Sequence, residues 1–103
     1  LLSSAASDVY KRQEQYFLDR LLILAVIEAR GCERFGILAD ALEPGPLKDF
    51  YTEITRSEAR HHGLFVRLAK EYFAAEEVQQ RLDELLDAEA KIVESLPFRA
   101  AVH

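Results

Sequence analysis

From residue 14 onward, apolar residues return every three or four positions, the spacing that lines one face of a helix. Three such stretches follow one another: about Glu14 to Leu42, about Leu47 to Phe73, and Val78 to Leu96, where Pro97 ends the pattern. Between the first two lies Glu43-Pro44-Gly45-Pro46, whose prolines and glycine stop a helix and predict a tight connection. Helices joined this closely are antiparallel neighbours. Ala74-Ala75-Glu76-Glu77 predicts a softer break before the third. No strand alternation or internal repeat competes. The pattern predicts an all-α fold, a long antiparallel helix hairpin plus a C-terminal helix. Leu21 to Ile27 is apolar all round, so this segment is expected to be fully buried, with neighbours on more than one side.

Polar residues interrupt the seams at telling places. Stepping by fours and threes through the second stretch gives Leu47, Tyr51, Ile54, Glu58, His61, Phe65, Leu68 and Tyr72. A carboxylate and an imidazole one turn apart in an apolar stripe are costly to bury unless something neutralises them, and a metal ion does so. Glu-x-x-His is also the spacing that di-iron carboxylate bundles place on two of their four helices. The same stepping through the first stretch gives Leu22, Val26, Ala29, Glu33, Gly36 and Asp40, with Glu33 between small residues. Counted from Gly45, Glu33 and Glu58 lie at nearly equal heights, about 18–20 Å from the turn at 1.5 Å per residue. Glu33, Glu58 and His61 are therefore expected to converge as metal ligands. Oxygen and imidazole donors with open positions suit non-haem iron.

Glu28 competes with Glu33 for this role. The two acids are about 140° apart around the helix, so both cannot face one seam. Glu28 is expected either to orient a ligand from behind or to form a surface ion pair. His62 is expected at the surface and Cys32 as a small core residue. Arg30, Arg34, Arg56, Arg60 and Arg67 read as a solvated face with ion pairs to Glu53 and its neighbours, or as a local patch for phosphates.

Composition narrows the class. The chain has 103 residues, half of them hydrophobic, with room for one small domain. Its net charge of −5 does not by itself advertise nucleic-acid binding. No stretch reaches the roughly 20 apolar residues of a membrane span. One cysteine excludes an internal disulfide framework and suits a reducing compartment, so a cytoplasmic location is expected. Ser3 to Gln13 is, residue for residue, the translation of a transposon adapter used in sequencing libraries. Residues 1–13 are therefore expected to be a non-native tail that packs against nothing, and residues 14–103 to be the C-terminal half of a longer domain.

The segments Asp19-Arg20-Leu21-Leu22, Ile27 through Phe35, Phe50-Tyr51, Ser57-Glu58-Ala59-Arg60-His61-His62 and the ending Leu96-Pro97-Phe98-Arg99-Ala100-Ala101-Val102-His103 resemble the C-terminal half of the tRNA 2-methylthio-isopentenyladenosine hydroxylases. That resemblance implies a ferritin-like helical bundle with a di-iron centre built from two similar halves. It implies that Cys32-Glu33 supplies one ligand and Glu58 and His61 the others. It further implies two iron ions, O2 as co-substrate, an electron-donor redox protein, and tRNA as the partner whose isopentenyl group is hydroxylated. The other half's ligands are absent from this sequence, so the isolated chain is expected to be inactive. A ferritin-like iron-storage protein and a purely structural helical module are the alternative readings.

Overall fold

The computed structural model describes the backbone of residues 2–97 and the side chains of residues 4–97. Phe98 to His103, most of the ending quoted above, lie outside the described residues. Three helices make up the fold: α1 (Leu2–Ala41), α2 (Pro46–Tyr72) and α3 (Ala75–Ser95). The expected all-α hairpin with a C-terminal helix is what is found. α1 begins earlier than the pattern predicts. Nothing in Ser3–Gln13 breaks a helix, so the turn-by-turn hydrogen bonding propagates through it at little cost. The side chains of residues 4–17 are all exposed, Val9 and Tyr10 among them.

The turn is built as its residues require. Gly45 takes φ 157° and ψ −174°, a region essentially reserved for glycine. Pro46 follows at the first helical position, where its missing N–H costs nothing. Lys48 Nζ donates to the carbonyls of Ala39 (2.8 Å) and Leu42 (3.5 Å), satisfying acceptors at the end of α1. At the far end α2 stops when Phe73 and Ala74 go extended, and Glu76 and Glu77 open α3 with charge suited to a helix N-terminus.

The chain turns back on itself twice. Lys48 meets Ala39, Thr55 meets Gly36, Glu58 meets Gly31 and Tyr72 meets Phe17, so α2 runs antiparallel to α1. α3 runs parallel to α1 and is tied to it by two forked ion pairs. Arg81 holds Asp19 at 2.7 and 3.1 Å, and Arg30 holds Glu89 at 2.6–2.9 Å. The core gathers at the end away from the turn, around Leu18, Leu21, Leu22, Ala69, Val78 and Leu82.

Leu21–Ile27 is not buried all round. Leu21, Leu22 and Ala25 are covered, while Ile23, Leu24 and Ile27 are exposed, because α2 and α3 cover only part of the circumference of α1. The radius of gyration, 18.2 Å, exceeds the roughly 13 Å of a compact chain of this length.

Candidate metal centre

Glu28 on α1 and Glu58 and His61 on α2 each bring one ligand atom into a group whose members lie within 4.8 Å of one another. They stand on the hairpin between the core and the turn. Glu28 is 13 residues before Ala41, the last residue of α1, while Glu58 and His61 are 12 and 15 residues after Pro46, the first of α2. Equal rise per residue then puts all three at one level.

The cluster is partly buried and internally frustrated. Glu28 is 22% exposed and His61 50% exposed, with His61 Nδ1 3.5 Å from Glu28 Oε2. That distance is long for a hydrogen bond, and the buried Oε2 has no hydrogen-bond partner among the described residues. Protonating one of the two acids supplies a missing hydrogen bond. Hydrogen bonding to Glu28 is accordingly the main reason the pKa of Glu58 is raised above its ordinary value. Burial and charge repulsion from Glu28 push the same way, while His61 opposes them. A cation among the three would remove the repulsion and satisfy the orphaned oxygen.

Space for the carboxylate comes from Gly31. A Cβ built there would stand 3.1 Å from Glu58 Oε2, so the Glu58 carboxylate lies against bare backbone of α1. Beside the cluster, His62 Nδ1 meets the carbonyl of Ala25 at 2.7 Å, a contact in which the ring N–H donates across the helix pair. His62 was expected at the surface and is instead half-buried. Cys32 is a free, half-buried thiol.

The expected convergence of Glu33 with Glu58 and His61 is not found. Glu33 is 63% exposed and pairs with Arg30 at 2.7 Å on the outside of α1. It stands only 8 residues before Ala41 and is thus several residues nearer the turn than Glu58 or His61. The height comparison counted the non-helical residues 42–45 as helix on one side only. The phase was also one residue late. On α1 the buried residues are Leu18, Leu21, Leu22, Ala25, Gly31 and Ala39, while Val26 is half-buried and Glu33 exposed. The signal along the chain that points to Glu28 is glycine at position 31, which leaves room beside it for the Glu58 carboxylate. Among the arginines, Arg56 pairs with Glu53 at 2.8 Å on an exposed face, as one of the two readings expects.

Residues 2–103 match the family described as tRNA-(MS[2]IO[6]A)-hydroxylase (MiaE). The chain belongs to this family. Two curated relatives carry the name tRNA 2-(methylsulfanyl)-N(6)-isopentenyladenosine(37) hydroxylase. The protein from Salmonella typhimurium is 40% identical over 76 residues, which cover 74% of this chain and 27% of the relative. The protein from Pseudomonas putida is 35% identical over 78 residues, covering 76% of this chain and 38% of the relative. The chain thus spans between about a quarter and two-fifths of the length of these MiaE-family relatives. No solved structure matches it significantly. Among the described residues, no helix is long and apolar enough to cross a membrane.

Proposed function

We propose that this chain supplies half of a di-iron centre in an O2-dependent hydroxylase acting on the isopentenyl group of a modified tRNA adenosine, with Glu28, Glu58 and His61 as its metal ligands. The observation that carries this reading is the cluster itself, two carboxylates and an imidazole with one buried carboxylate oxygen left without a partner. Family membership supports the substrate, since both relatives are named for hydroxylation of this type of adenosine. The donors fit iron: carboxylate oxygens and a neutral imidazole nitrogen form a hard-to-borderline set. Glu33, tied to Arg30 on the outer face, is not among them.

The bound metal would supply activation of O2 to an oxidant able to attack an allylic C–H bond. The residues of the chain hold and orient. Glu58 lies over Gly31, so its carboxylate can approach the level of Glu28 without a side chain in between. Because hydrogen bonding to Glu28, burial and repulsion raise the pKa of Glu58, a metal would compete with protons at that carboxylate, which makes binding weaker as pH falls. The forked pair between Arg30 and Glu89 fixes α1 two residues from Glu28 and so steadies that ligand. Electrons would come from a redox protein, and the remaining ligands from the rest of a longer parent or from another chain.

The test has two parts. The chain should take up Fe(II), and Glu58→Ala or His61→Ala should abolish uptake while helical content is kept. In cells that rely on the longer parent, the same substitutions should remove the hydroxylated nucleoside from digested tRNA. Undiminished iron content and product in the His61→Ala protein would overturn the assignment.

A further inference from the structure

Charge is shared unevenly among the helices. α3 carries seven acids and two bases, whereas residues 54–70 of α2 carry four bases and one acid, Glu58, which is turned to α1. The four bases are Arg56, Arg60, Arg67 and Lys70, and all are exposed. At 100° per residue they fall within an arc of about 80° that runs about 21 Å along α2. The mid-line of that arc lies about 140–170° from Glu58 and Ala69, so the stripe looks away from α1 and the core. Arg56 pairs with Glu53, while Arg60, Arg67 and Lys70 make no ion pair among the described residues. Gly63 lies inside the same arc. A Cβ there would stand 3.0 Å from Arg67 Nη1, so this guanidinium lies over bare backbone. Glycine weakens a helix interior relative to alanine, and here it leaves a notch between Arg60 and Arg67. Every residue of α2 within about 50° of the mid-line is charged, threonine or glycine. The stripe therefore offers no apolar surface on which a further helix of a longer bundle could pack.

We propose that this outer face of α2 binds the sugar-phosphate backbone of RNA. A row of unpaired cations is complementary to phosphates repeated along a strand, and such contacts fix where the strand lies. Position matters as much as sign. Arg60 is the neighbour of His61, and Arg56 and Arg67 stand about 7.5 and 9 Å to either side of His61 along the axis. On a helix 10–12 Å across, the 100° between Arg60 and His61 is an arc of about 10 Å. A phosphate held at Arg60 leaves the base of a splayed-out nucleotide within reach of the metal cluster. The notch at Gly63 lets the strand come close between Arg60 and Arg67. The choice of RNA rests on the tRNA reading given above, but binding at this face needs no metal.

Fluorescence anisotropy of the chain with a labelled, unmodified RNA stem-loop tests the proposal. With the three unpaired cations engaged, log Kd should rise with log [KCl] at a slope of about 2–3, so affinity should fall about 20- to 40-fold between about 50 and 200 mM. The double variant Arg60→Gln, Arg67→Gln should bind about tenfold more weakly and lower the slope to about 1, with unchanged circular dichroism and Fe(II) uptake. The double variant Arg34→Gln, Lys91→Gln removes the same charge from α1 and α3 and should bind as wild type does. No RNA binding by the wild-type chain, or an equal loss in the two double variants, would overturn the proposal. So would binding to phosphatidylserine vesicles in preference to RNA. RNA binding that the α2 variant loses, in a chain that takes up no iron, would support the surface and contradict the ligand reading.

Discussion

Gly31 and Gly36 sit on the same helix and separate the site from the scaffold. Replacing either by alanine removes backbone freedom from the unfolded chain and improves helix propensity, by about 0.5–1 kcal/mol. At Gly36 the new methyl would meet Thr55 Cγ2 at 3.6 Å, an ordinary contact, so the full gain should appear. At Gly31 it would meet Glu58 Oε2 at 3.1 Å and Cδ at 3.4 Å, which requires the carboxylate to move by a few tenths of an ångström. A Glu side chain can swing at small cost, so Gly31→Ala should also stabilise the metal-free protein. Ligand distances tolerate only about 0.2 Å of error, however. Displacing Glu58 should weaken iron binding by about 10- to 100-fold, the usual cost of disturbing a ligand's support. Urea denaturation and anaerobic Fe(II) titration of both variants form the assay. Gly36→Ala should gain stability and keep its affinity, whereas Gly31→Ala should gain stability and lose affinity. Equal iron affinity in the two would refute the claim that Glu58 needs the bare backbone at position 31.

Glu28→Gln should abolish iron uptake and Glu33→Gln should leave it unchanged, checked by metal analysis after gel filtration. Arg81→Met should cost about 1–2 kcal/mol at pH 7, because it removes a forked, charge-assisted pair to Asp19. That pair holds the Asp19 pKa below its ordinary value, so its stabilisation is present above the ordinary carboxylate range and is lost as pH falls through the lowered value. Denaturation curves of wild type and variant should therefore converge at acid pH. Deleting residues 1–13 should change stability by no more than about 0.5 kcal/mol, since the side chains described there are exposed.

Much of this molecule can be read along the chain, and the misreadings have physical causes. Pro44, Gly45 and Pro46 announce the turn, and Glu58 and His61 stand out because apolar residues flank them at helical spacing. The third helix shows itself by Val78, Leu82, Leu85 and Leu86, which all lie in or against the core. The rotational phase of α1 is another matter. Seven apolar residues in a row, Leu21 to Ile27, carry no phase, so nothing local says that Ala25 and not Val26 faces α2. The acid chosen downstream then depends on a height count that a non-helical turn distorts. His62 is similarly opaque, because its partner, the Ala25 carbonyl, is a backbone group on another helix. The exposure of Ile23, Leu24 and Ile27 follows from how few helices this chain brings to its own bundle.

Crystals of the chain grown with anaerobic Fe(II), with anomalous data collected on either side of the iron edge, decide which three side chains hold the metal. Iron density is expected about 2 Å from a carboxylate oxygen of Glu28, one of Glu58 and a ring nitrogen of His61. Iron bound at Glu33 and Arg30's side of α1, or none at the Glu28–Glu58–His61 cluster at full metal loading, would contradict it.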